Sequence, residues 1–343
     1  MRWSNLTIES EETTRLPGYR EEAVVRHFEA PGSIKTRFYE VRAKSILNRV
    51  PDASMMPFRW TINPYRGCTH ACTWCFARPT HKYLDFNAGR DFEREIVVKV
   101  NAPEVLRAEL ARPSWEGEHV ALGTNTDPYQ WVEGRYELMR GIWEALRDAG
   151  NACSILTKSP LLLRDLDLMR QISERTEFSA ALSVPTLDEK AWRATEPHTP
   201  HPRARLEAVA ELKRAGIRTG ILVAPLMPGV NDSPEQLEPI LRLATEAGAD
   251  YVTGIALHLR GDVKGLWFEW LEEHRPDLLE RYRRLYRRGA YAPQEERARL
   301  AGLVKYAGHE VPSFRRGGIT KGEQTAAKRL VKAAGAPEQA RLF

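Results

Sequence analysis

The feature that most restricts the fold is an alternation that begins near residue 59. Short apolar runs rich in β-forming residues are each followed by an amphipathic helical stretch or a loop leading to one. The runs are RWTIN (59–63), HVALGT (119–124), ACSILTK (152–158), FSAALSV (178–184), RTGILVAP (218–225) and YVTGIALHL (251–259). Stretches such as GRYELMRGIWEALRDAG and SPEQLEPILRLATEAG stand between them, and helices ending at Gly150, Gly216 and Gly248 have the residue expected of a left-handed cap. Six strand-helix units predict an α/β fold with a parallel sheet covered by helices. Right-handed crossovers let such a sheet curl into a full or partial barrel. Function then gathers at the C-terminal ends of the strands. An additional run, REIVVKV (94–100), is read as an extra strand.

Around this core, residues 1–58 read as an irregular leader packing on the barrel, with one candidate strand near TRFYEVRAK. The barrel is assigned to 59–264, and 265–343 to a basic helical extension packed beside it. The whole chain of 343 residues carries a net charge of +5. From His274 to Phe343 there are sixteen Lys and Arg against seven Asp and Glu, a net of +9, which leaves −4 for the rest. A basic segment on a mildly acidic body suits contact with nucleic acid, and it also suits a solvated helical surface. No apolar run approaches the roughly 20 residues of a membrane span. The N-terminal stretch lacks the apolar core of a signal peptide, so the expected location is cytoplasmic.

Three of the four cysteines lie in GCTHACTWCF (67–76), spaced Cys68-x3-Cys72-x2-Cys75. Thiolates so close together select zinc or an iron–sulfur cluster. A structural zinc site needs four closed ligands, and no second cysteine pair exists; His70 or His81 can complete a Cys3His set. A cubane cluster held by three cysteines keeps one iron open for a reacting ligand. Cys153, inside an apolar run, reads as a small buried hydrophobe.

These three cysteines, with Trp74 before the last of them and the first strand of a βα series before the loop, resemble the radical S-adenosylmethionine (radical SAM) superfamily. The resemblance implies a radical SAM partial (β/α)6 barrel and a [4Fe-4S] cluster on Cys68, Cys72 and Cys75. It implies that the open iron chelates the amino and carboxylate groups of S-adenosyl-L-methionine. Reductive cleavage then gives a 5′-deoxyadenosyl radical that abstracts hydrogen from a substrate. A reductant such as flavodoxin or ferredoxin is implied as a partner. The family binds the SAM ammonium after the second strand, where GTNTDPYQ (123–130) offers Thr124, Asn125, Thr126 and Asp127. Lys158 and Ser183, at the ends of the third and fourth strands, are candidates for the SAM carboxylate or ribose, and Trp74 occupies the family's aromatic position. Glu196 and Arg203 flank EPHTPHPR and are read as lining the mouth; His198 and His201 are read as surface histidines.

The motifs NPYRGCTHACTWCFAR, GTNTDPYQ and PLMPGVND are similar to the spore photoproduct lyase-like, or DNA-repair photolyase-like, branch, and within it to the Rv2578c-type proteins. In the lyase a cysteine of a Cys-Thr-Ser-Asp stretch returns hydrogen to the product. Here the matching stretch reads Thr124-Asn125-Thr126-Asp127, and a hydroxyl holds its hydrogen too strongly to replace a thiol. The resemblance therefore speaks for cofactor and fold more than for substrate. A DNA base or lesion is the expected substrate class, with a protein or small molecule as the alternative. A non-enzymatic metal-bearing nucleic-acid-binding protein is the alternative class. The ending EQARLF places Gln339, Leu342 and Phe343 at the spacing of a peptide that binds the DNA sliding clamp, although Ala340 departs from it.

Overall fold

A computed structural model describes residues 8–28, 36–51 and 56–304. Its strands, in chain order, are β1 (Ile8–Thr14), β2 (Ala23–Phe28), β3 (Arg37–Val41), β4 (Leu47–Arg49), β5 (Trp60–Ile62) and β6 (Tyr65–Arg66). They continue with β7 (Glu95–Lys99), β8 (Val120–Leu122), β9 (Cys153–Thr157), β10 (Phe178–Ser183), β11 (Thr219–Leu226) and β12 (Tyr251–Ala256). All six expected barrel strands are present, as β5 and β8 to β12. They lie side by side in the order β12-β11-β10-β9-β8-β5, every neighbouring pair parallel. The short β4 adds antiparallel to β5, and among the described residues β12 does not pair back to β4 or β5, so the barrel is partial.

The helices that return the chain cover one face of this sheet. Ile62, Val120, Leu122, Ile155, Leu182, Ile221 and Val252 are buried in one cluster with Ile142, Trp143, Met169, Val209 and Ile240 of the helices. Three helices end as their sequences require: Gly150, Gly216 and Gly248 follow them with φ of 57°, 78° and 73°. The stretch GRYELMRGIWEALRDAG does not form one helix. It breaks at Glu137, whose φ is 51°, into Glu133–Tyr136 and Leu138–Asp148.

One sequence expectation needs correction. The described part of the leader is not irregular: β1, β2 and β3 form an antiparallel meander that continues through β7 to β6 in a second, five-stranded sheet. The strand read near TRFYEVRAK is β3, and the run at 94–100 is the expected extra strand, which lies in this sheet parallel to β3. The meander escapes a pattern search because β1 reads IESEETT, a strand with a single apolar residue. The chain leaves the barrel after β5 and enters the second sheet at β6, so the cysteine loop is rooted in that sheet.

After β12, helices Val263–His274, Leu279–Leu285 and Gln294–Leu303 pack on the barrel. Trp267, Trp270, Leu271 and Tyr282 share a core with Met227, Val230, Leu257 and Leu259, while Leu300 and Val304 enter the main core. Arg283, Arg284, Arg287 and Arg288 are all exposed; the helix ends at Leu285, so the last two stand in a turn. The proposed clamp peptide at Gln339, Leu342 and Phe343 lies outside the described residues. No helix among those described is long and apolar enough to cross a membrane.

Gly123 ends β8 with φ of 80°, and a Cβ there would lie 1.8 Å from the Leu156 carbonyl oxygen of β9. Gly123→Ala must push these paired strands apart and adopt a left-handed backbone. The expected loss is about 3 kcal/mol, the sum of a left-handed residue and an overpacked contact. A thermal melt checks it: an unchanged midpoint would show that the turn can relax.

Candidate active site

The cysteine loop starts at Gly67, directly after β6. Its φ is 80°, and a Cβ would meet the Phe92 carbonyl oxygen and Ile96 Cδ1 at 2.8 Å. The Cys68 amide donates to that same Phe92 oxygen at 2.9 Å, which draws the loop onto the segment before β7. The Thr73 amide donates to the Thr195 oxygen at 3.1 Å. With the loop so tied, all three thiols are free and line one cleft at the C-terminal ends of the barrel strands. Burial pushes the thiols of Cys72 and Cys75 above their ordinary range, and the charges of Glu196 and Cys68 respectively add to it. Metal binding takes the thiolate, so a cation arriving here displaces protons.

Arg78 holds the loop from inside. Its buried guanidinium donates to the oxygens of Cys72 (3.0 Å), Ala71 (3.1 Å), Ala88 (3.3 Å) and Gly89 (2.7 Å), and to the Glu93 carboxylate (2.8 Å). From the far side, Gln130 accepts the Thr69 amide at 2.9 Å, and Thr126 donates its hydroxyl to the Gly67 oxygen at 2.6 Å. Thr126 is therefore a brace between the loop and the end of β8. Neither Arg78 nor Gln130 stands out in the sequence. The one cue is position, since Arg78 lies three residues beyond the last cysteine.

Asp127 lines the cleft, but its oxygens are already engaged. Oδ1 accepts the Tyr129 amide (2.9 Å) and the Thr157 hydroxyl (2.6 Å); Oδ2 accepts the Lys158 amide (2.8 Å) and lies 3.3 Å from His70 Nδ1. Burial acts to raise its pKa, yet His70 and these donors outweigh it and hold the carboxyl at about 2. Asp127 thus ties β8 to β9 in addition to facing the cleft. Thr124 and Asn125 line the same wall.

Trp74, Lys158 and Ser183 come together as one group. Lys158 Nζ donates to Ser183 Oγ at 2.9 Å, lies 4.8 Å from the centre of the Trp74 ring, and sits 3.6 Å from Glu196 Oε1. Glu196 does not line the mouth as expected. It is fully buried, paired at 2.8 Å with the equally buried Arg205, and its Oε1 has no hydrogen-bond partner. Arg205 also donates to the Ser183 oxygen (2.9 Å) and to Thr199 Oγ1 (2.6 Å). Arg203 is exposed and outside the cleft; His198 is exposed, and His201 caps helix Pro202–Arg214. Cys153 is buried in the core away from the cleft, where burial raises its thiol pKa far above the ordinary range.

Three thiols on one wall, with Cys153 buried elsewhere, are a donor set that fits a cubane cluster with one open iron. Among the described residues no three His, Cys, Asp or Glu side chains converge as one metal ion requires. His81 Nε2 is bonded to the Glu95 oxygen at 2.8 Å, with its ring against Phe92, and His70 faces Asp127. Phe76 and Ile255, both close to half exposed, line the same cleft with His258. The His258 ring stacks on Tyr291 at 4.1 Å, with the Arg297 guanidinium 5.6 Å from the Tyr291 ring centre.

Residues 62–244 match the Radical SAM superfamily. The chain belongs to this superfamily. Its members are enzymes that work with a [4Fe-4S] cluster and SAM, and the loop and strand ends just described occupy the matched region. Uncharacterized protein Rv2578c of Mycobacterium tuberculosis is 49% identical over 289 residues, covering 84% of this chain and 85% of that protein. A Pseudomonas phage M6 protein named radical SAM Nalpha-GlyT isomerase is 27% identical over 169 residues, 49% of this chain and 33% of its own. Spore photoproduct lyase complexed with dinucleoside spore photoproduct superposes with a TM-score of 0.57 at 18% identity, over 78% of this chain and 77% of that one. At that identity the likeness is one of fold.

Removing the Arg78 charge should release the loop. Arg78→Met leaves four carbonyl oxygens and Glu93 without their donor, an expected cost of about 3–5 kcal/mol for breaking a buried pair. Iron per chain after anaerobic reconstitution should fall to a minor fraction of the parent value. Full iron loading in this variant would show that the cysteines hold their positions without it.

Proposed function

We propose that this protein is a radical SAM enzyme acting on a nucleic-acid base, with the cluster on Cys68, Cys72 and Cys75. The observation that carries the reading is the cleft itself: three free thiols on one wall, a cation at the strand ends, and a ring-lined mouth. When bound there, the cluster and SAM supply a 5′-deoxyadenosyl radical for hydrogen abstraction.

The chain's own residues bind and orient. Lys158 offers its ammonium to the SAM carboxylate, with Ser183 beside it and Trp74 covering it. Glu196 and Arg205 fix Lys158 from behind, so its charge is aimed before ligand arrives. Thr124 and Asn125 present polar groups for the SAM ammonium, as does Asp127 to the extent that its existing bonds allow. Phe76, Ile255 and the His258–Tyr291 stack give a planar base faces to lie against. One neighbour favours a base over a protein or small molecule: the lyase complexed with a dinucleoside. The exposed Arg283, Arg284, Arg287 and Arg288 are suited to phosphate contacts. A low-potential carrier of the flavodoxin or ferredoxin type is the proposed reductant. The sliding clamp is the proposed partner of the terminal peptide, and the cytoplasm the proposed location.

Anaerobically reconstituted protein should hold about four irons per chain, as a cubane cluster requires. Replacing Cys68, Cys72 or Cys75 with Ala should abolish this, whereas Cys153→Ala should not. Lys158→Met should weaken SAM binding roughly ten- to hundredfold, the equivalent of about 1.5–3 kcal/mol for a charged hydrogen bond. Stoichiometric zinc without sulfide would refute the cluster, and unchanged SAM affinity would refute the role of Lys158.

Because Thr124 stands where the lyase places its hydrogen donor, the unaltered protein should not repair spore photoproduct efficiently. Incubating the reduced, SAM-loaded protein with the lesion and measuring thymine release checks this. Rapid, clean conversion would mean that another group returns the hydrogen.

A further inference from the structure

A second cavity lies apart from the cleft, between the β3–β4 connection, Arg66 of β6, Lys99 of β7 and the 3-10 helix Arg78–Leu84. Arg42, Lys44, Arg66 and Lys99 all line it, and its lining contains no carboxylate. We propose that this cavity binds the phosphate of a nucleotide, with the Tyr83 ring stacking on the base.

Lys99 is the strongest argument. It is buried, and its ammonium has one hydrogen bond, to the Asn63 oxygen at 2.8 Å. No described carboxylate pairs with it or with Arg42, Lys44 or Arg66. The nearby Glu109 is taken by the Ser45 hydroxyl and the amides of Ile46 and Leu47. Burial, joined by repulsion from Arg66, lowers the Lys99 pKa to about 7. The Glu109 charge opposes this only in part; a buried ammonium with no carboxylate bonded to it is costly, and an anion in the cavity would supply that partner to Lys99 and Arg66 together. Arg42 and Lys44 are exposed and stand at the rim, where they can reach an entering phosphate.

Tyr83 makes the ligand more than phosphate. It is 73% exposed, among the largest exposed apolar side chains, and it borders the four cations. A cationic pocket beside an uncovered aromatic ring matches the two faces of a nucleotide. A nucleotide can arrive free or as one unit of a single strand. Neither source depends on the radical reading, since none of these five residues lines the thiol cleft.

The test uses full-length, cluster-loaded protein and anaerobic calorimetry with three probes: inorganic phosphate, deoxyadenosine monophosphate and a thymidylate dodecamer. Arg42→Gln with Lys44→Gln, both at exposed positions, should weaken every probe that binds by tenfold or more. Tyr83→Ala should weaken the nucleotide and the dodecamer about tenfold while leaving phosphate unchanged. Binding of the mononucleotide marks a free ligand as sufficient; binding of the dodecamer alone marks a strand as the source; both outcomes support the proposal. Three results overturn it: no probe binding at low salt, binding indifferent to the double substitution, or nucleotide binding indifferent to Tyr83→Ala. If no probe binds and the double substitution instead weakens docking of an acidic electron carrier, the cations belong to a protein interface.

Discussion

Between Cys68 and Cys75 the backbone makes few hydrogen bonds of its own, so the shape of the loop falls to the Arg78 guanidinium. One planar cation collects four carbonyl oxygens from two separate stretches and pairs with Glu93. The oxygens point inward, and the thiols are left on the opposite side, facing the cleft. Thr126 and Gln130 bind the same loop to the end of β8, so the thiols and the polar groups of that strand end move as one body. A cofactor bridging thiols and strand ends needs this common frame.

The barrel was legible because each of its strands is a short apolar run bounded by glycine, proline or polar turns, and all but β12 are largely buried. The second sheet was legible only in part: β3 and β7 read as strands, but β1, β2 and the pairing did not. IESEETT is almost wholly polar, and REIVVKV reads as an extra strand without naming its partner. Pairing between β3 and β7, more than fifty residues apart, leaves no local pattern. The kink at Glu137 was hidden for a related reason: its helix-like periodicity continues through a left-handed residue.

In the site, spacing alone marked the cysteines, and strand-end position brought Lys158 and Ser183 to the same place as Trp74. What could not be read was which polar groups are engaged by the fold. Asp127 and Thr126 face the cleft and yet brace it, while Glu196 supports Lys158 from a fully buried position. Arg205 reads as one more arginine on an amphipathic helix until the Glu196 carboxylate is found beside it. Long-range charge pairing carries no periodicity, and these residues were passed over or misplaced for that reason.

Helix Gln294–Leu303 has a consequence of a different kind. A partial barrel leaves its last strand with unpaired backbone groups, a template for adding another chain. This helix lies against β12, and Gly254 lets Val304 approach so closely that a Cβ would stand 2.8 Å from its Cγ2. The helix thereby covers a face of this last strand, with apolar Leu300 and Val304 turned into the main core. A chain cut before Gln294 would keep every cysteine and every strand end of the cleft but uncover β12, and self-association would become its characteristic failure.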